Sequence, residues 1–206
     1  MAGSQDSNAQ SIIARAVAIS ISPGKEWPKI RAEDTSTREV FIRYVLPLAL
    51  IGPVAGLIGY LIFGYGAVGG MTFRPGLVSA VIGAVVALAL ALISFLVLWL
   101  IADTLARKFN GEASPTMAFK LVAYGSTPVW LVGIFALFPP LSILGVLALY
   151  GLYLIYMGVT PMLNVPKEKA LTFTVVFVLC GILLNLAVAA LSAANMKLLS
   201  GMGLFG

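Results

Sequence analysis

The sequence predicts an all-α membrane protein, a polytopic helix bundle with five transmembrane helices. Of the 206 residues, 60% are hydrophobic and 10% are charged, whereas a soluble domain carries about a quarter of charged residues. The apolar residues also fall in long blocks, each close to the roughly 20 residues that cross a hydrocarbon core. These two observations exclude a soluble globular fold.

Five blocks have the length of a span. They cover about residues 44–63, 77–101, 118–138, 141–163 and 170–190. The third and fourth blocks are separated only by Pro139 and Pro140, which predicts a tight helical hairpin. Residues 44–194 therefore form the predicted transmembrane domain, and residues 195–206 form a short outer tail.

The Lys and Arg residues predict the orientation of the chain, because cytoplasmic loops carry an excess of them. If the N-terminus is cytoplasmic, all of the 13 basic residues except Arg74 and Lys197 fall on the cytoplasmic side. The bias alternates consistently through all five spans. The prediction is an N-in, C-out topology.

The region before the first span divides in two. Residues 1–10 are polar and are predicted to be disordered. Residues 11–43 predict a cytoplasmic amphipathic or interfacial segment. Its apolar side consists of Ile12, Ile13, Ala16 and Val17. Trp27 lies among basic residues and is predicted to be an interfacial anchor at the lipid headgroups. Both a peripheral helix that covers the bundle and a dedicated docking segment for partners or lipids stay open.

The third span contains "AYGSTPVW", residues 123–130. Because proline has no N–H, Pro128 leaves the carbonyl of Tyr124, four residues earlier, without its helical partner. Ser126 and Thr127 are expected to bond back to the carbonyls four residues before them, which bends a helix. A freed carbonyl is costly in lipid, so this face should point at protein or water. Two interpretations compete: a fixed kink for packing, and a broken-helix binding site of the transporter kind.

Three features make the chain resemble the Ypt-interacting-protein (Yip) domain family, as a prokaryotic member. They are the segment "SPGKEWPKIRAED" before the first span, the five N-in spans with short outer loops, and the Tyr-x-x-x-Pro spacing of Tyr124 and Pro128. The family has Gly-Tyr-x-x-x-Pro, and Ala123 replaces the glycine here. The family's Asp-Leu-Tyr-Gly-Pro run is absent.

The resemblance implies a multi-pass protein of the prokaryotic cytoplasmic (inner) membrane. Eukaryotic members of the family are associated with Rab-type GTPases and vesicle trafficking. Because the second signature is absent from this chain, the resemblance gives no basis for assigning a GTPase partner.

Small residues in the spans predict close helix packing. Gly52 and Gly56 form a Gly-x-x-x-Gly pair in the first span, and Gly181, Asn185 and Ala189 follow one another at four-residue spacing in the fifth. The glycine pair suits packing within the chain and homo-oligomerisation equally well. The amide of Asn185 joins a candidate midplane polar site, whose other members are Tyr124, Ser126, Thr127 and Pro128.

Catalysis finds little support in the sequence. Histidine is absent and there is one cysteine, which removes the commonest general base and any metal cluster of Cys and His. Asp103, at the edge of the second span, is expected to be a surface charge. The glycine-rich "YGAVGG" lacks the Lys-Ser/Thr of a phosphate loop. The sequence therefore predicts no cofactor, no metal and no enzyme.

The basic residues flank spans, so nucleic acid is not a predicted partner. The preferred function is a non-enzymatic protein that organises membranes, or binds lipids and other proteins through its N-terminal segment. The alternative is a passive transporter, channel or scramblase for a small solute or lipid at the midplane site.

Overall fold

The computed structural model describes residues 3–66, 72–73, 76–112 and 114–201. Two helices precede the spans, α1 (Gly3–Ile21) and α2 (Pro23–Ala32). The first span comprises α3 (Thr37–Val40), a π turn (Phe41–Val45), α4 (Leu46–Ala49) and α5 (Ile51–Phe63). Two short strands follow, β1 (Tyr65–Gly66) and β2 (Thr72–Phe73), which pair antiparallel with Tyr65 opposite Phe73.

The other four spans differ in regularity. The second span is α6 (Leu77–Lys108). The third span comprises α7 (Pro115–Gly125), α8 (Thr127–Val132) and a 3₁₀ stretch (Gly133–Leu137). The fourth span comprises a 3₁₀ stretch (Pro139–Leu149) and α9 (Tyr150–Leu163), and the fifth lies in α10 (Lys167–Gly201).

Among the described residues, five stretches are long and apolar enough to cross a membrane, which confirms the five-span, all-α prediction. They are Thr37–Phe63, Leu77–Lys108, Pro115–Leu137, Ile143–Leu163 and Lys167–Ser192. Several extend past the predicted blocks, because a helix continues into polar turns as long as its backbone bonds are made. For the same reason α1 begins at Gly3, inside residues 1–10, where the polar composition predicted disorder.

Prolines account for the irregular first span. Pro47 has no N–H to give to the carbonyl of Arg43, and the turn before it widens into a π turn in which Leu46 N–H bonds Phe41 O. Pro53 has the same effect on Ala49, and the helix is interrupted at Leu50. These breaks interrupt the regular helix of the first span, and Tyr44, which lies in the π turn, is buried.

The Gly-x-x-x-Gly face of the first span packs within the chain, against the 3₁₀ stretch of the third span. A Cβ atom added at Gly52 would lie 3.7 Å from Gly133 Cα, and one added at Gly56 would lie 3.9 Å from Ala136 Cβ. Gly59, one turn further, is tighter still, because its Cβ would meet Ala136 O at 2.5 Å. Of the two roles left open for the Gly52 and Gly56 face, the structure shows packing within one chain.

This contact predicts a graded response to alanine. Gly59→Ala is expected to lower the free energy of unfolding by about 1–3 kcal/mol, because backbone atoms must move to admit the methyl group. Gly56→Ala is the matched control and is expected to be neutral or to stabilise the protein by up to about 1 kcal/mol, through helix propensity. Thermal unfolding in one detergent compares the two variants, and equal melting temperatures would contradict the prediction.

Candidate functional site

At the kink of the third span, the side chain of Thr127 bonds the carbonyl that Pro128 leaves free. The helix ends at Gly125 and restarts at Thr127, as the missing N–H of Pro128 predicts. Thr127 Oγ1 donates to Tyr124 O at 2.6 Å, so the freed carbonyl has a partner. The hydroxyl reaches three residues back, not the four that the sequence predicted, because the helix is interrupted between donor and acceptor.

A second hydroxyl joins the kink to the first span. Tyr44 Oη lies 2.7 Å from Thr127 Oγ1. Because the single proton of Thr127 goes to Tyr124 O, Tyr44 must donate here. The rings of Tyr44 and Tyr124 also lie 4.6 Å apart, centroid to centroid. All three residues are buried, so the kink is held by protein groups.

Removing this threonine hydroxyl is expected to destabilise the fold. Thr127→Val keeps the shape but leaves Tyr124 O and Tyr44 Oη unpaired in a buried place, at a cost of about 2 kcal/mol. Tyr44→Phe in the same background should recover part of that loss, since it removes the unpaired phenol. Thr104→Val is the control, because Thr104 bonds Leu100 O at an exposed site. If the melting temperatures of Thr127→Val and Thr104→Val fall equally, the two hydrogen bonds of Thr127 do not stabilise the kink as proposed.

A cation from α1 lies over the tyrosine of the motif. Arg15 Cζ is 5.9 Å from the centroid of the Tyr124 ring, within reach of a cation–π interaction. The same guanidinium pairs with Glu26 of α2 and with Glu33, just after α2. Burial lowers the pKa of Arg15, but the charge of Glu33 and its hydrogen bond act in the opposite direction, and the net pKa lies above the ordinary value. The arginine therefore stays charged and holds α1, α2 and the third span together.

Lys120 binds the end of α2. Its Nζ donates to Glu33 O at 2.6 Å and to Ile30 O at 3.3 Å. The Ile30 carbonyl belongs to the last turn of α2 and Glu33 is its C-cap, a helix end where a cation is favoured by the helix dipole. The predicted orientation rests on Lys120 as a basic residue of a cytoplasmic loop. In the structure its side chain is buried, and its hydrogen-bond acceptors belong to the N-terminal region.

Trp27 is the central contact between α2 and the fourth span. A Cβ atom at Gly158 would lie 2.6 Å from Trp27 Cε2, so only glycine admits the indole there. Trp27 is 0% exposed and has no surface left for lipid headgroups, contrary to the predicted interfacial anchor. The sequence feature that could have indicated this close contact is the pair Gly151 and Gly158, two turns apart in the fourth span. Gly151 likewise lies against the kink, with its Cβ position 3.1 Å from Gly125 O.

The predicted site residues of the fifth span lie apart from this cluster. Asn185 is exposed on α10, and its Nδ2 donates to Gly181 O at 2.9 Å. Gly181 faces α6, because its Cβ position is 3.7 Å from Leu98 Cδ2, while Ala189 is exposed. Ser126 occupies the break itself and is partly exposed. The structure thus brings Tyr124, Thr127 and Pro128 together and leaves Asn185 on another helix.

Asp103 differs from its prediction as a surface charge. The carboxylate is buried, and Oδ2 accepts from Arg107 Nη2 at 2.5 Å. Helix α6 carries both residues one turn apart, so the pair forms within a single helix. Among the described residues no group of three or more His, Cys, Asp or Glu side chains is placed to hold a metal ion.

Comparison with known proteins gives two results. The model of the Yip1 domain matches residues 17–190. The chain is also 29% identical over 178 residues to the protein named Inner membrane protein YohC in Escherichia coli strains K12 and CFT073, and the match covers 82% of this chain and 89% of each relative. No solved structure matches the chain significantly.

Proposed function

This chain belongs to the Yip1 domain family, and from that premise we propose that it is a non-enzymatic, membrane-organising protein of the inner membrane. It acts by binding bilayer lipids and neighbouring proteins through the exposed face of α1. The spans place the protein in the bilayer, and the cluster at the kink holds α1 and α2 in one orientation against it.

The observation that carries this proposal is that α1 has apolar side chains on two faces, one buried and one exposed. Ala16 and Ile19 are buried against the bundle, whereas Ile13, Val17 and Ile21 are 49–75% exposed. The exposed three follow four-residue spacing, so they form one apolar stripe along the helix. The sequence placed Ile13 and Val17 on the same side as Ala16, but the structure divides them between two faces. A helix with an exposed apolar stripe suits the membrane interface.

The geometry does not favour passive transport of a polar solute or an ion at the kink. The freed carbonyl of Tyr124 is bonded by Thr127, and Thr127 is bonded by Tyr44. The cavity next to Pro128 is lined mainly by apolar side chains, which offer a solute or an ion no replacement for its water.

We further propose that α1 and α2 lie on the cytoplasmic side, because the basic residues are concentrated in that region and in the loops on its side of the bundle. Single cysteines at the exposed positions Lys25 and Gly76, introduced into a Cys180→Ser background, test this orientation. A membrane-impermeant maleimide applied to spheroplasts should label position 76 alone, and labelling of position 25 alone would reverse the topology.

The decisive experiment changes only the exposed stripe. Wild type and the triple variant Ile13→Ser, Val17→Ser, Ile21→Ser are reconstituted in phosphatidylethanolamine and phosphatidylglycerol vesicles, and vesicle shape is measured by electron cryomicroscopy. The proposal expects wild type to deform the vesicles and the serine variant to lose this effect. A triple leucine variant, which keeps the stripe apolar, is the control and should retain it. Vesicles of identical shape with wild type and serine variant would refute the proposal.

A further inference from the structure

A cavity of about 440 Å³ lies beside the proline break of the third span. It is open on one side and is bordered by α1, α8, the 3₁₀ stretch of the fourth span and the first residue of α9. The residues around it include Ser20, Pro128, Leu131, Val146, Leu147 and Tyr150. The gap has a local cause: the helix is interrupted before Pro128, and the facing 3₁₀ segment is a narrower helix than an α-helix. Its volume falls within the range of about 300–1,000 Å³ typical of ligand pockets.

The chemistry of the lining selects a hydrocarbon. The phenol of Tyr150 donates to the backbone carbonyl of Ser20 at 2.7 Å, and the Ser20 hydroxyl donates to Ala16 O at 2.7 Å, so the polar groups of this wall already have partners. The other lining side chains are apolar. A polar ligand would therefore lose water without gaining hydrogen bonds, whereas a hydrocarbon chain loses nothing.

The position of the cavity in the bilayer points to the source of that hydrocarbon. Tyr150, Tyr153 and Tyr156 are exposed on α9, and tyrosines are enriched at the level of the lipid headgroups. Past Tyr156 in the chain, Arg31 bonds Pro161 O and the Asn164 side chain at the polar end of the span. Val146 and Leu147 lie before the tyrosines in the chain, on the apolar side, where acyl chains begin.

We propose that this cavity seats one acyl chain of a membrane phospholipid. The inference rests on the proposed function, for which it names the lipid-binding site. Because α1 supplies one wall through Ser20, the seated chain lies directly beside the helix that carries the exposed stripe. The proline kink thereby acquires a role beyond packing, since the break makes room for the lipid.

The test uses a labelled lipid and a substitution that fills the cavity. Full-length protein is reconstituted in phosphatidylethanolamine and phosphatidylglycerol vesicles that contain a trace of phosphatidylethanolamine with a diazirine on one acyl chain. After illumination, labelled peptides are mapped by mass spectrometry. Val146→Trp fills the cavity from a position that is 60% exposed, and Leu183→Trp, at 67% exposure on α10, is the matched control. Size-exclusion chromatography confirms that both variants are folded, and Leu147→Trp is the second variant if Val146→Trp is not.

Wild type is expected to concentrate the label in the peptide that contains Val146–Tyr150, and Val146→Trp should lose that excess while Leu183→Trp keeps it. Uniform label over all exposed spans, or an unchanged pattern in Val146→Trp, would overturn the site. So would disulfide-linked dimers of Val146→Cys in a Cys180→Ser background, because a second copy would then cover the cavity. The vesicle-shape experiment reads a different property. If wild type leaves the vesicles undeformed but the label is concentrated at Val146–Tyr150, the proposed function alone is refuted. If wild type deforms the vesicles but the label is uniform, the lipid site in the cavity alone is refuted.

Discussion

Replacing Trp27 by alanine is expected to lower the free energy of unfolding by about 3–5 kcal/mol, the range for deleting a large buried aromatic side chain. The indole is among the largest fully buried side chains of the described chain. It packs on Gly158, and Leu121 Cδ1 lies 2.5 Å from a Cβ built at the same glycine. Since glycine has no side chain, Gly158 itself cannot fill the space that the indole leaves. Thermal unfolding in detergent measures the loss, and limited proteolysis of residues 12–32 shows whether α2 detaches.

Trp27→Phe is the graded control for this prediction. It keeps an aromatic ring and removes the indole N–H, which is buried without a hydrogen-bond partner in the described structure. The phenylalanine variant should therefore lose clearly less stability than the alanine variant. If both variants unfold at the wild-type temperature, Trp27 does not hold α2 on the bundle and the described packing is wrong.

Replacing Arg15 by methionine is expected to cost about 3 kcal/mol. Methionine preserves most of the side-chain volume but leaves Glu33 without its cation and leaves the buried Glu26 with Lys29 alone, 3.1 Å away. Removal of one member of a buried ion pair typically costs about 3–5 kcal/mol, because the remaining charge stays desolvated. The low end applies here, since Arg15 and Glu33 keep some contact with solvent.

An exposed ion pair provides the control for the arginine. Arg43 and Glu39 pair at 2.7 Å one turn apart, with both side chains exposed, and such pairs contribute about 0.3–0.5 kcal/mol. Arg43→Met should therefore change the melting temperature little. The double variant Arg15→Met, Glu33→Gln should be more stable than the sum of the two single changes predicts. Equal losses for Arg15→Met and Arg43→Met would show that the Arg15 pairs are no stronger than surface pairs.

The spans were predictable from the sequence because a membrane imposes a length and an apolar composition that few other folds share. The proline breaks were also predictable, since a missing N–H at Pro128 affects one carbonyl at a known position. What the sequence did not show was the partner of that carbonyl. Thr127 has two acceptors within reach in a regular helix, and only the break selects Tyr124 O.

The N-terminal region shows the opposite case. Hydropathy identifies residues 11–43 as amphipathic but does not say which face docks on protein and which meets lipid, because both environments favour apolar side chains. For the same reason Trp27 suited a headgroup position as well as a buried one. Lys120 was counted with the loop charges. Its acceptors, the carbonyls of Ile30 and Glu33, come from a distant part of the chain, and the residues next to Lys120 in the sequence do not predict them.

That distance has a consequence for biosynthesis. The bonds of Lys120 to the end of α2 span 87 and 90 residues, and those of Arg31 to Pro161 and Asn164 span 130 and 133. The ribosome makes α2 before the fourth span, so the surface of α9 on which α2 packs exists only after that span has left the exit tunnel. Helix α2 must therefore remain undocked, as an amphipathic peptide, until the fourth span has been synthesised.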